Sequence, residues 1–394
     1  AKYKIAKIDR KESARKPPAP FDTASLQKSC SSTFGWSSKK TSTLAQKLYE
    51  NGLCTYIRTD SFNISQEAID KVRELIGKAA SKEYLPDKPN VYKKKSKAAA
   101  QEAHECIRPT DVYNKGNDID DSDEKKLYKF IRDRFIACQM TPMIVDTVTY
   151  HIKTNTKHDL IAKGQTIKFD GWSKVYKYSK TKEEILPDAK EKETLNLKDI
   201  KKTKHSTQPP PRYKDGSLVD KMEKEGVGRP STYSSIIEAI QNRGYVEKVK
   251  GKKGGFGATH LGMKVFDYLD PHFDNFFMDI SFTRDVEEAL NEIADGKKTY
   301  LEVVEPFYEQ MMQEIKKAKV DVPDKKVVKT GVKCSVCKKG EIVQKEGRYG
   351  KFYSCDKYPE CKSIFTKDDD GKFVIKKKYK AKKTGKKMKK AKGY

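Results

Sequence analysis

The chain has 394 residues, of which 35 % are Asp, Glu, Lys or Arg, and a formal net charge of +27. That length admits two or three domains, and the excess of positive charge calls for a polyanionic partner, most simply nucleic acid. There is no run of about eighteen apolar residues to span a membrane, and Ala1-Lys2-Tyr3-Lys4 opens into mixed polar sequence with no signal peptide.

Tyr3, Ile5 and Ile8 alternate with polar residues and predict a strand within residues 1–10. Lys16-Pro17-Pro18-Ala19-Pro20-Phe21 then interrupts regular structure, because each proline restricts itself and the residue before it. Asp22-Thr23-Ala24-Ser25-Leu26-Gln27 can cap and open a helix. After Thr33-Phe34-Gly35-Trp36-Ser37, a second helix is predicted over 42–50, with Leu44, Ala45 and Leu48 on one face and a stop at Asn51-Gly52.

The next stretch is Gly52-Leu53-Cys54-Thr55-Tyr56-Ile57-Arg58-Thr59-Asp60-Ser61, followed by a helix with Ser65 as N-cap and Ile69, Val72 and Ile76 inward. A tyrosine on a short connector between two helices can reach out from a fixed backbone, and a phosphate can sit against its phenol and the guanidinium of Arg58. The bland reading of such a tyrosine is packing or surface. The wording, however, resembles the active-site segment of type IA DNA topoisomerases, G-L-I-T-Y-x-R-T-D-S, in which the tyrosine attacks a DNA phosphodiester and holds the 5′-phosphate. Residues 17–27 are also similar to the P-P-x-P-F-x-T-x-x-L-Q segment leading into that family's tyrosine domain.

A second constellation is Gln101-Glu102-Ala103-His104-Glu105-Cys106-Ile107-Arg108-Pro109-Thr110. A His–Glu pair alone is more often structural. This block nevertheless resembles a second family motif, A-H-E-x-I-R-P-T, where the histidine lies near the tyrosine and DNA and can donate to a phosphate or assist proton transfer. The acidic run over 118–124 lacks the spacing of a metal site, since Lys125 stands where a glutamate is needed, and reads as a loop capping the next helix. That helix, 125–138, carries Leu127, Phe130, Ile131, Phe135 and Ile136 at helical spacing and is expected to be core.

Val148, Tyr150 and Ile152 alternate with polar residues, Leu160-Ile161-Ala162 precedes Gly164, and Val/Thr/Tyr enrichment predicts strands there and over 166–175. Residues 180–204 are charged and loop-rich. A short helix over 217–225 ends at Gly226. In Gly226-Val227-Gly228-Arg229-Pro230-Ser231-Thr232-Tyr233, Pro230 is suited to the first turn of a second helix with Ile236, Ile237 and Ile240 inward. Its start offers free N–H groups, two hydroxyls and an arginine to an anion. With Gly244-Tyr245-Val246 and the turn at 251–257 the pattern resembles a winged helix, and L-V-x-x-M-E-x-x-G-V-G-R-P-S-T-Y-x-x-I-I resembles the bacterial topoisomerase I branch. Residues 282–296 also match the family and predict an amphipathic packing helix with Val286, Leu290 and Ile293 inward.

Of eight cysteines, Cys30, Cys54, Cys106 and Cys138 are scattered, whereas Cys334, Cys337, Cys355 and Cys361 cluster. Two close pairs in a large chain read as a closed structural Zn²⁺ site that folds a small module. They match the four-cysteine ribbons at topoisomerase C-termini. Tyr349, Phe352 and Tyr353 either stack on single-stranded bases or fill the ribbon core. Residues 376–392 are mostly lysine and small residues, an expected disordered tail that attracts DNA.

These readings give an α+β, multidomain chain: mostly helical gate and winged-helix-like domains, a β-rich arch and a zinc ribbon. The expected boundaries are 1–15 and 143–212 for the arch, 16–142 for the gate, 213–320 for the helical DNA-binding domain, 330–367 for the ribbon and 368–394 for the tail. The resemblance implies Tyr56, Arg58 and His104 as catalytic and Asp60, Arg108, Arg229, Ser231 and Thr232 as DNA contacts. It implies single-stranded and negatively supercoiled DNA as partners and an intracellular, DNA-associated location. It also implies Mg²⁺ held by a Toprim domain that no part of this chain matches, so the chain, which opens on Ala1 rather than Met, is expected to be a portion needing that domain. The rival readings are a non-catalytic DNA-binding zinc-ribbon protein and a tyrosine recombinase, whose differently ordered Arg and His residues are not found.

Overall fold

The computed structural model describes residues 2–93, 104–156, 158–178, 181–249, 251, 254–274, 276–320, 327–347, 350–368 and 371–375. Residues 101–103 of the second constellation, Tyr349 and the lysine-rich tail over 376–392 lie outside the described residues. In chain order the elements are β1 (Tyr3–Arg15), α1 (Thr23–Phe34), α2 (Ser38–Glu50), α3 (Gln66–Ala79), α4 (Ser122–Cys138), β2 (Met143–Thr154), β3 (Leu160–Phe169), β4 (Thr194–Leu195), α5 (Asp215–Glu225) and α6 (Tyr233–Asn242). They continue with β5 (Val246–Val249), β6 (Gly255–Ala258), α7 (His260–Phe273), α8 (Ile280–Ala294), α9 (Tyr300–Val320), β7 (Val328–Lys333), β8 (Glu341–Gly347), β9 (Gly350–Cys355), β10 (Ile364–Lys367) and β11 (Phe373–Ile375). This is the mixed α+β architecture expected. Two compact units result, one of residues 1–258 with 273–306 and one of 259–272 with 307–394.

In the first unit, β1 runs antiparallel to β2 from Tyr3 opposite Thr154 to Arg15 opposite Met143, in a sheet ordered β3-β2-β1-β4. A separate strand over 166–175 does not form. Its first half belongs to β3, and at Gly171 (φ +48°) the chain enters a 3-10 turn, Gly171–Lys174. A Cβ there would collide with the Pro142 carbonyl. The turn buries Trp172, whose Nε1 donates to Arg15 O at 2.9 Å.

Helices α1 to α4 enclose the main core, with Phe21, Leu26, Leu48, Leu127, Phe130, Ile131 and Phe135 all at most 2 % exposed. Their starts are chemically specified. Asp22 and Ser25 form a reciprocal capping box on α1, Ser37 caps α2, and Asp121 accepts from the N–H groups of Asp123 and Glu124 on α4. The acidic run is thus a helix cap, as expected. At α3 the N-cap is Ser65, and Ala68 joins Val72 and Ile76 in the core while Ile69 is only half-buried.

Helices α5 and α6 and the β5–β6 hairpin form a smaller cluster around Val219, Met222, Tyr233 and Ile237, to which α1 contributes Ala24. Here Pro230 is not in the first turn of a helix. Thr232 Oγ1 accepts the Arg229 N–H at 2.8 Å and lies 3.2 Å from Arg229 O, closing a separate turn, and α6 starts only at Tyr233. Helix α8 is amphipathic and stops before Gly296 as predicted, yet none of its residues is buried and Leu290 is half exposed. Periodicity identifies the apolar face of a helix but not what covers it. In the second unit a five-stranded sheet, β11-β10-β9-β8-β7, packs Ile342 and Phe365 against the clustered cysteines. Among the described residues no helix is long and apolar enough to cross a membrane.

Candidate active site and metal centre

Three segments far apart in sequence are stitched together around Tyr56. Phe21 bridges Ile107, and Cys54 bridges Pro109. Backbone N–H groups donate from Ile107 to Phe21 O (2.7 Å), from Thr55 to Arg108 O (2.9 Å), from Cys106 to Asn63 O (2.9 Å) and from Thr23 to Thr59 O (2.9 Å). Two threonine hydroxyls reinforce the stitching. Thr55 Oγ1 donates to Cys106 O at 2.7 Å and accepts from Arg108 N at 3.0 Å. Thr23 Oγ1 donates to Ile57 O at 2.6 Å and accepts from Thr59 N at 2.9 Å. The proline-rich entry, the tyrosine stretch and the His104 block, singled out separately in the sequence, are therefore one structure.

On this frame Tyr56 is 40 % exposed. Its ring meets Tyr49 of α2 edge-on at 5.3 Å and has the His104 ring at 6.3 Å. Arg58 is exposed, and its guanidinium has no hydrogen-bond or ion-pair partner among the described residues. It lines a cleft of about 330 Å³ with Thr23, Ser42, Thr43, Gln46, Lys47, Glu50, Pro230, Ser231 and Ser234. A polar groove with a free guanidinium and the hydroxyl-bearing Ser42, Thr43, Ser231 and Ser234 is suited to a phosphodiester strand, the Thr23 hydroxyl being turned to the connector backbone.

The other candidates divide. Asp60 is half-buried between buried Thr59 and Ser61. Arg108 is turned from the cleft: its Nη2 pairs with Glu105 at 2.6 Å, its Nη1 donates to Pro109 O at 3.1 Å, and it lines a separate 130 Å³ cavity with Ser65 and Lys71. Burial pushes the Glu105 carboxyl up, but the Ser65 N–H and hydroxyl and the Arg108 charge hold it below the usual range. Arg229 reaches Glu287 at 3.5 Å, and the Thr232 hydroxyl is engaged by the Arg229 backbone, so from that block Ser231 is the predicted contact that lines the cleft. Sequence reasoning passed over Tyr49, Thr23 and Ser234. Tyr49 had one legible signal, an aromatic on the last turn of the amphipathic α2. Burial pushes Cys54 up to about 12 and raises Cys106 well above the ordinary thiol value, so the thiols within this frame are neutral.

Cys334, Cys337, Cys355 and Cys361 form the second centre. All four sulfurs lie within 4.8 Å of one another, with Cys334–Cys361 at 3.8 Å and Cys337–Cys355 at 3.6 Å. Four Zn–S bonds of about 2.3 Å in a tetrahedron set sulfurs about 3.8 Å apart, whereas a disulfide needs about 2.05 Å. Backbone N–H groups, that of Gly340 first, lower the Cys337 thiol to about 6, while burial pushes Cys355 up to about 12. A bound cation keeps both as thiolates. Gly340 is required, since a Cβ there would lie 2.5 Å from Cys355 Sγ. In the same sheet Tyr353 stacks edge-on with Phe373 at 4.9 Å, which gives it a packing partner within the ribbon. Among the described residues this is the one group of three or more His, Cys, Asp and Glu side chains placed to hold a metal.

A family model described as DNA topoisomerase matches residues 1–305, and one described as topoisomerase DNA-binding C4 zinc finger matches residues 331–369. The chain is 39 % identical over 383 residues to DNA topoisomerase 1 of Vibrio cholerae, covering 94 % of this chain and 43 % of that protein. It is 38 % identical over 374 residues to the Helicobacter pylori protein of the same name, covering 92 % and 50 %. Among solved structures, full-length topoisomerase I of Thermotoga maritima superposes with a TM-score of 0.69 at 33 % identity, covering 94 % of this chain and 62 % of that one. The chain thus spans about half the length of the relatives it matches.

Proposed function

The chain belongs to the type IA DNA topoisomerase family, and from that membership we propose that it carries the strand-cleaving half of a single-strand DNA gate, with Tyr56 as nucleophile. The observation that carries the reading is the exposed Tyr56 ring near both Tyr49 and His104, on a frame whose neighbouring backbone is held on both sides. Tyr56 Oη attacks a phosphorus of single-stranded DNA. The bond to the 3′ oxygen breaks, the phenol proton is lost and the leaving oxygen gains one, and the 5′-phosphate stays on Tyr56. Arg58 bears the charge that grows on the phosphoryl oxygens. His104 holds the phosphate or relays a proton, and Ser231 and its neighbours in the cleft hold the strand.

Strand passage and reversal of the attack then relax negatively supercoiled DNA. The phosphotyrosine retains the energy of the phosphodiester, so ATP is not required. Asp60 and Arg229 are assigned to DNA at the edge of this path, and Arg108 to bracing the His104 segment. Thr232 shapes the turn that presents Ser231. We assign 16–142 to the gate, 1–15 with 143–212 to the arch, 213–320 to the helical DNA-binding domain and 330–367 to a Zn²⁺ ribbon. The family's Mg²⁺ has no fitting carboxylate group among the described residues. Cleavage by this chain depends on a Toprim domain supplied in the same polypeptide or separately.

Covalent trapping on end-labelled single-stranded DNA with Mg²⁺ tests the reading. An adduct is expected when Toprim is supplied and is absent in Tyr56→Phe. A Tyr56→Phe chain that still forms the adduct would rule out the assignment. DNA binding with no adduct under any condition would favour a non-catalytic DNA-binding protein.

A further inference from the structure

Thr23 opens α1 and is 5 % exposed, yet its hydroxyl is not needed to start that helix, which Asp22 and Ser25 already cap. Instead the hydroxyl is directed at the tyrosine connector. Thr23 Oγ1 lies 2.6 Å from Ile57 O and 2.9 Å from Thr59 O, and it accepts the Thr59 N–H at 2.9 Å. The Thr23 N–H also donates to Thr59 O. These groups belong to the residues immediately before and after Arg58. The Arg58 side chain has no partner of its own among the described residues, so its backbone alone sets where it departs toward the cleft, and Thr23 lines the same cleft.

We propose that Thr23 is a positioning residue: its buried hydroxyl fixes the peptide groups on both sides of Arg58 and so aims the guanidinium at the phosphate under attack by Tyr56. The proposal rests on the reading of Tyr56 and Arg58 given above. Thr59 Oγ1 extends the arrangement by accepting the Ser61 N–H at 3.0 Å, and Ser61 Oγ accepts the Asn63 N–H at 3.0 Å. A line of hydroxyls therefore leads from α1 along the inner side of the connector. Because a hydroxyl supplies one donor and accepts as well, no apolar side chain of the same shape can replace it.

The test uses the full chain supplied with its Toprim domain and follows the rate of adduct formation. Thr23→Val keeps the shape and removes the hydroxyl, and Thr23→Ser restores it. The Val variant is expected to slow the adduct by about 10- to 100-fold, the scale on which small misplacements of a reacting group act, while DNA affinity stays within about twofold. Thr23→Ser should recover the rate. Two controls separate positioning from loss of stability. Ile131→Val, in the core of α4, should lower the melting temperature without slowing the adduct. Thr23→Val should add no further loss to Arg58→Ala, because both act through one group. If Thr23→Val does not fold, Thr23→Cys, a weak donor, replaces it in each comparison. A parental rate in Thr23→Val, failure of Thr23→Ser to recover, or full additivity with Arg58→Ala would overturn the proposal while leaving Tyr56 as nucleophile. An adduct that survives Tyr56→Phe would overturn both.

Discussion

Two glycines inside helices predict opposite effects of the same substitution. Gly216 lies in the first turn of α5, where that helix packs on α1 and its N–H donates to Ser31 Oγ at 3.2 Å. A Cβ at Gly216 would stand 2.8 Å from Lys28 Cα, 2.9 Å from Ser31 Cβ and 3.0 Å from Lys28 O. Carbon atoms prefer about 3.5–4.0 Å, so in Gly216→Ala the two helices must part by roughly 0.7 Å, and two of the three obstacles are backbone atoms that no rotamer change can move. Overpacking of this kind costs about 1–3 kcal/mol. The gain in helix propensity, at most about 1 kcal/mol, leaves a net loss of up to about 2 kcal/mol. Gly77 is helical in α3, and its added Cβ would meet only Leu85 Cδ2, at an ordinary 3.7 Å. Gly77→Ala should therefore stabilise by about 0.5–1 kcal/mol. Urea denaturation followed by the fluorescence of buried Trp36 and Trp172 measures both against the parent. A Gly216→Ala midpoint at or above the parent's would refute the close α1–α5 contact, and a lowered Gly77→Ala midpoint would refute the open space beside Gly77.

Three further outcomes follow from the same structure. One Zn²⁺ per chain is expected by metal analysis, and Cys361→Ser or a strong chelator should unfold the ribbon while the circular dichroism of the helical unit persists, since the ribbon core holds little beyond Ile342 and Phe365. Burial pushes the Asp133 carboxyl up from 3.8 to about 6, so above pH 4 the unfolded chain gives up this proton more readily than the folded one. The Asp133 contribution to stability should then fall as pH rises from 4 to 6, by up to about 3 kcal/mol, read as the difference between the parent and Asp133→Asn across that window. Single-stranded DNA affinity should fall steeply with salt. Arg58→Ala should reduce the log–log slope by about 0.7, whereas Arg108→Ala, whose guanidinium is engaged by Glu105, should leave it nearly unchanged.

What the sequence made legible was whatever local chemistry decides. The caps at Asp22 and Asp121 and the apolar face of α4 need only a few neighbouring residues, and each formed as its residues require, whereas α2 starts at Ser38 under a Ser37 cap, four residues before the expected 42. The four ribbon thiols were legible for a different reason: metal ligation demands those residue types whatever surrounds them. What stayed hidden depends on which of several available partners a side chain takes, or on what packs against a face. Arg108 stands in a motif beside His104, yet Glu105 and Pro109 turn it to another cavity. Helix α6 begins after Pro230 because a hydroxyl three residues from Arg229 closes a turn there. The exposed face of α8 had a readable period but no readable neighbour.

The connector shows why its own order was hardest to read. Ile57, Thr59 and Ser61 are buried at 5, 2 and 5 %, while Tyr56 and Arg58 between and before them are exposed. By hydropathy this is no amphipathic pattern, because two of the three inward residues are polar. They are inward because Thr23, Thr59 and Ser61 hydroxyls each receive a backbone N–H that has no sheet partner. An irregular segment has no repeating hydrogen bonds to hold it, and a buried peptide group without a partner costs about 1–3 kcal/mol. Short hydroxyl side chains supply those partners without adding bulk. That lets the backbone sink into the core as firmly as a strand while every second side chain is free to face solvent. A phenol and a guanidinium two residues apart can then be displayed together on a fixed support, which neither a helix nor a flexible loop provides.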